Sequence, residues 1–114
     1  MIEPDTSNLK VGKRNFCINQ LDGEFFQYLV GNDSNKSFNK KTHLIPMITV
    51  DDFITSHFNY ELDILHADIQ GAELNMLQGA VKSIKKGQIR FTFISTHHHY
   101  ISHNPIIHQQ CIQF

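Results

Sequence analysis

The chain of 114 residues has no tryptophan and only two cysteines. It contains no apolar run near the ~18 residues that a membrane span needs. Its N-terminus lacks the apolar core of a secretory signal peptide. Cys17 and Cys111 lie far apart and share no metal-type spacing. They read as reduced thiols in a cytoplasmic protein, with a disulfide left open by sequence alone. Charge of either sign is also scarce in excess: 10 Lys and Arg against 11 Asp and Glu give a net charge of -1. That balance offers no basic stripe for nucleic acid. There are no internal repeats, no Cys-x-x-Cys and no His-Glu-x-x-His. The expectation is therefore a single soluble domain over residues 1–114, with no nucleic acid, no membrane and no metal among its partners.

What is present is a 40% hydrophobic composition and an excess of histidine, eight in all, five of them between His97 and His108. Asp5 or Ser7 is placed to cap a helix carrying Leu9, Gly12 and Phe16 on one stripe, ending near Cys17 to Asn19. Phe25 to Val30 reads as a strand between turns. Residues 32–41, from Asn32 to Lys41, are polar and rich in turn formers, which predicts a flexible surface loop. Thr49 and Asp52 form a capping-box variant that starts a short helix from Val50 to about His57. Leu62 to Ala67 reads as a strand buried on both faces. Leu74, Leu77, Val81 and Ile84 then recur at helical spacing, with lysines in the last turns and Gly87 as the stop. Ile89 to Ile94 is a further strand. Such alternation predicts an α/β fold with a mostly parallel sheet flanked by helices. Met1-Ile2-Glu3-Pro4 reads as the end of a strand begun upstream, and the chain stops in an apolar stretch. A sheet incomplete at both ends is expected.

The segment Asp63 to Ala80 carries the main functional signal: a strand ending in a carboxylate, a glycine turn and a helix. Ligands of open α/β sheets sit beyond the carboxyl ends of the strands, which places Asp68 at a binding site. Asp before a turn into a helix is also a common cap, and the two roles are compatible. Asp51 and Asp52 read first as helix-start carboxylates, with a ligand contact retained for Asp51 only. Glu73 reads as an ordinary acidic residue of a first helical turn, suited to the dipole. His97, His98 and His99 follow a strand end. Consecutive residues of an extended chain alternate in direction, so His97 and His99 share a side and are the pair available for acceptor binding or general-base work.

The motifs together resemble the FkbM family of methyltransferases. Ile48-Thr49-Val50-Asp51-Asp52-Phe53 is similar to the family's Leu-Asp-Asp type segment. Asp68-Ile69-Gln70-Gly71-Ala72-Glu73 resembles its Asp-(Val/Ile)-Glu-Gly-(Ala/Ser)-Glu signature, and Leu77-Gln78-Gly79-Ala80 the Leu-Lys-Gly-Ala that follows. The tail from Ile94 to Ser102 is similar to a subset of these proteins. Gln70 departs from the pattern, where Glu is usual, and so does His66, where lysine is common. The family's glycine-rich cofactor loop would precede Met1.

The resemblance implies a Rossmann-like, class I methyltransferase fold and S-adenosylmethionine as cofactor. Its implied cofactor-binding residues are Glu3, on the ribose hydroxyls, with Asp51 and Asp68; its implied catalytic residues are Asp68, His97 and His99. The implied reaction moves a methyl to a hydroxyl of a small acceptor of sugar or secondary-metabolite type. Two alternatives stand beside it: a non-catalytic module that binds a partner or forms a homo-oligomer through an exposed sheet edge, and a histidine-based metal-binding protein.

Overall fold

The computed structural model describes residues 1–40, 43–57 and 61–114. The element that positions the site is a pair of parallel strands, β4 (Leu62–Ala67) and β5 (Ile89–Ile94), in register from Leu62 opposite Ile89 to Ala67 opposite Ile94. Both have the bounds that their apolar composition predicts. Their crossover is helical, as a parallel connection requires.

β4 is not buried on both faces. Ala67 is buried at its end, while Ile64, Phe91 and Phe93 are 55%, 53% and 56% exposed on one side of the pair. The physical reason is layering: among the described residues the sheet has two strands, and no element packs over that side.

The mostly parallel sheet expected is divided in two among the described residues. The other sheet is mixed, in the order β1 (Leu29–Val30), β3 (His43–Ile48), β2 (Ser37–Lys40). β1 runs parallel to β3, whereas β2 pairs antiparallel with it, Phe38 opposite Ile45. The polar segment expected as a loop is a turn only over its first half. Asp33 closes that turn by accepting from Asn35 N–H at 3.0 Å, and Ser37–Lys40 then joins the sheet. Residue 41 lies outside the described residues. Pro46, which has no N–H to give, masks β3 as a strand in the sequence. Of the expected strand from Phe25 to Val30, Leu29–Val30 pairs with β3, and Phe26 makes a parallel bridge to Ile2.

Helix α1 (Thr6–Ile18) is capped by Asp5, whose carboxylate accepts from Ser7 N–H at 2.8 Å and Asn8 N–H at 3.2 Å. Helix α2 (Val50–His57) starts on the expected capping box: Asp52 N–H donates to Thr49 Oγ1 at 3.1 Å, and that hydroxyl to Asp52 Oδ2 at 2.8 Å. The expected helix after the glycine turn is two, α3 (Glu73–Gln78) and α4 (Val81–Lys85). Gly87, at φ +67°, supplies the predicted stop.

The buried stripe is also rotated from the predicted one. Glu73, Met76, Leu77, Ala80 and Ser83 are buried, whereas Leu74 and Val81 are half-buried and Ile84 is exposed. Val50, Ile54, Ala67, Met76, Leu77 and Ala80 form the core, which joins α2 to α3 under the end of β4. Two short helices, α5 (His99–Ser102) and α6 (Ile107–Gln113), follow β5. Among the described residues no helix is long and apolar enough to cross a membrane.

Candidate functional site

Two carboxylates 65 positions apart in the chain border one cleft. Glu3 follows the Ile2 bridge, Asp68 follows β4, and both line a hollow of about 240 Å³ with Ile2, Pro4, Asn8 and Gln70 among its walls. Glu3 spends one oxygen on Asp5 N–H, at 2.8 Å, which fixes the side chain at the start of α1. The lining has two carboxylates and neither Lys nor Arg. Carboxylates accept and do not donate, so the cleft suits a ligand rich in hydroxyl donors or positive charge and repels phosphates.

Beyond Asp68 the chain turns sharply, Gln70 at φ +53° and Gly71 at φ +100°. The glycine is required twice over. Its φ suits no L side chain well, and a Cβ there would lie 2.5 Å from the Cα of Ser102. The turn after β4 is thereby pressed against α5, which brings the loop after β5 beside Asp68.

His97 lies in that loop, between two carboxylates. Its Nε2 is 3.1 Å from Asp68 Oδ1 and its Nδ1 is 2.8 Å from Glu73 Oε1. The same Glu73 oxygen accepts from Gly71 N–H at 3.0 Å. Exposure falls steeply along the line: the Asp68 side chain is 56% exposed, His97 18% and Glu73 0%. Burial pushes the Glu73 carboxyl up. The N–H groups of Gly71 and of Glu73 itself, with the hydrogen bond and charge of His97, outweigh it and hold the group below its ordinary value. Glu73 Oε2 is buried with no hydrogen-bond partner among the described residues. Burial, then the Glu73 charge, push the nearby Cys111 thiol up.

Two readings of the sequence change here. Asp68 is not the cap of α3; that position falls to Ala72, with no side-chain hydrogen bond, and Asp68 pairs with His97 instead. Glu73 is not an ordinary first-turn carboxylate on the surface but the buried end of the chain of contacts. The signal that would have found it is the phase of the stripe: Glu73 stands seven positions before Ala80 and ten before Ser83, on the face that packs inward.

The remaining candidates lie elsewhere. His99 opens α5 rather than continuing an extended strand, so it does not share a side with His97. Its ring stands 4.2 Å from that of Tyr100 and 4.0 Å from that of His98, and it lines a separate hollow with Tyr100, His103 and Pro105. Asp51 turns away from the cleft: its carboxylate accepts from Ser83 N–H at 2.7 Å and Lys82 N–H at 3.1 Å, capping α4. His108 Nδ1 is 3.2 Å from the hydroxyl of Thr96. Among the described residues no three His, Cys, Asp or Glu side chains converge in a way that could hold a metal ion.

The described elements form an α/β chain, and its two cleft carboxylates follow segments that pair in parallel. The model of the methyltransferase FkbM domain matches residues 1–110, and the chain belongs to that family. No curated protein and no solved structure matches it.

Proposed function

We propose that the chain takes part in S-adenosylmethionine-dependent methyl transfer to a hydroxyl, with the Glu3–Asp68 cleft as the cofactor's seat in a Rossmann-like fold. The observation that carries the reading is the meeting of these two carboxylates in one cleft without a cation. Family membership supports a methyltransferase-like function. The chemistry of the lining supports the cofactor: a vicinal diol donates to carboxylate oxygens, a sulfonium or ammonium group is drawn to them, and S-adenosylmethionine carries all three without a phosphate.

The fit extends to size only in part. At about 240 Å³ the hollow is smaller than the roughly 300–1,000 Å³ of whole small-molecule sites. It matches a portion of the cofactor. Glu3 is the residue for the ribose, since its second oxygen has no partner among the described residues. Ile2, Leu29 and Ile69 supply apolar wall. When bound, the cofactor supplies an electrophilic methyl group.

The chain's own residues divide the remaining work. Asp68 has Oδ1 on His97 and Oδ2 unpartnered among the described residues, so with Glu3 assigned to the ribose it is the carboxylate left to face an acceptor. His97 has both nitrogens engaged by carboxylates, which leaves it no lone pair aimed at an acceptor. Gln70 is no base at neutral pH. The acceptor is a small hydroxylated molecule, of sugar or secondary-metabolite type by family.

Calorimetric titration of the folded chain with S-adenosylmethionine and S-adenosylhomocysteine tests this. Micromolar binding is expected, weakened in Glu3→Gln. Absence of heat and of thermal stabilisation, from protein shown to be folded, would overturn it.

A further inference from the structure

We propose that Glu73 is a positioning residue: from its buried site it fixes the His97 ring and, through it, the orientation of Asp68 at the cleft. The inference rests on the preceding reading only in making that cleft the ligand site.

The argument begins with cost. A carboxylate removed from water needs its lone pairs filled, yet Glu73 is 0% exposed and its Oε2 has no partner among the described residues. An apolar side chain of similar volume would pack among Met76, Leu77 and Ala80 without that cost. What the carboxylate adds is on its other oxygen. Oε1 accepts from Gly71 N–H at 3.0 Å and from His97 Nδ1 at 2.8 Å, so one buried atom ties the turn after β4 to the loop after β5.

Geometry carries the effect outward. An imidazole held at one nitrogen can still swing; held at both, it is fixed in direction and in the identity of its protonated atoms. Carboxylate oxygens only accept, so the ring holds both partners by donating from Nδ1 to Glu73 Oε1 at 2.8 Å and from Nε2 to Asp68 Oδ1 at 3.1 Å. Among the described residues, Asp68 and Glu73 are the ionisable groups facing the ring, and Cys111 is the further one near Glu73. Asp68, 56% exposed, would otherwise sample several rotamers beside water. With Oδ1 anchored, its second oxygen is held for the cleft.

The test is the ring of His97 itself. Long-range nitrogen–proton spectra of the imidazole are recorded for the wild-type chain, Glu73→Gln and Glu73→Leu, each shown folded by its amide spectrum, with S-adenosylhomocysteine titrated in parallel. The wild type is expected to carry a proton on Nδ1 that exchanges slowly with water. Glu73→Gln keeps an acceptor oxygen and should retain that signature. Glu73→Leu should lose it, and its affinity for S-adenosylhomocysteine should fall about tenfold, the value of one well-made hydrogen bond. A bare Nδ1 in the wild type, or a ring spectrum in Glu73→Leu like that of the wild type, would overturn the proposal. Should Glu73→Leu fail to fold, the protonation of Nδ1 in the wild type decides alone. Failure of S-adenosylhomocysteine to bind the wild type would count against the cofactor assignment, and the ring spectra would still decide the role of Glu73.

Discussion

Gly79 packs against the backbone of Gly31 so closely that a Cβ at position 79 would stand 2.2 Å from the Gly31 carbonyl oxygen. The contact joins the end of β1 to the break between α3 and α4, and it explains why the predicted single helix is two. Glycine is needed there for space, since its φ of -80° is ordinary. Gly79→Ala must push one backbone off the other, an overpacking that costs about 1–3 kcal/mol. Urea unfolding of the variant should show a lower midpoint with an unchanged slope. A midpoint equal to that of the wild type would mean that the two segments separate freely.

Asp51 offers a clean separation of two roles. Its carboxylate accepts from the N–H groups of Lys82 and Ser83, the service of a helix cap supplied from another helix. Asp51→Ala should therefore cost about 1 kcal/mol of stability, as cap losses do. Affinity for S-adenosylhomocysteine should stay as in the wild type. A large loss of affinity with stability intact would return Asp51 to the cofactor site.

Much of the fold was legible because local rules agreed with packing. The Thr49–Asp52 pair, the apolar runs of β4 and β5 and the terminal Gly87 each act within a few residues, and each element stands where its own residues place it. Pairing across the chain was less legible. Ser37–Lys40 is polar and reads as loop, yet it forms a strand because β3 offers it an edge, and Pro46 hides β3 itself. The site shows the same division. A carboxylate after an apolar run is visible in sequence, so Glu3 and Asp68 can be named there, though not the single cleft that both line. Glu73 needed the stripe's true phase, which tertiary packing of Met76, Leu77 and Ala80 sets. His99 needed the start of α5, a change of backbone direction that no residue type announces.

Acid should unfold this chain through carboxylates that the fold keeps ionised. Hydrogen bonds from the hydroxyls of Ser34, first, and Thr49 hold Asp52 below its ordinary 3.8. Glu73 lies below its ordinary 4.5, where burial opposes and the bonds from Gly71, its own N–H and His97 prevail. A carboxyl lowered on folding contributes its full stability above the unfolded value. As pH falls past that value the unfolded chain takes up protons first, so stability declines until the folded carboxyl is protonated too. Stability from these groups should be level near neutrality and decline below about pH 4.5. Asp52→Asn should flatten part of that decline, measured as urea midpoints between neutral and acid pH. An equal decline in the variant would show that Asp52 is not among the groups responsible.

The two thiols should differ in reactivity, and the difference reports on Glu73. Thiolate is the nucleophile, so alkylation follows both access and the ease of deprotonation. Cys17 is exposed on α1, whereas Cys111 is half-buried on α6 and its thiol is pushed up, first by burial and then by the Glu73 charge. Iodoacetamide at mildly alkaline pH should therefore modify Cys17 well before Cys111, read by mass after digestion. Glu73→Gln removes the charge and keeps the volume, so Cys111 should react faster in that variant while Cys17 keeps its rate. The rate at Cys17 controls for reagent and pH, and the amide spectrum for folding. Equal acceleration at both cysteines would indicate a loosened fold. Acceleration at Cys111 alone places the buried negative charge beside it, which is the same charge that faces His97.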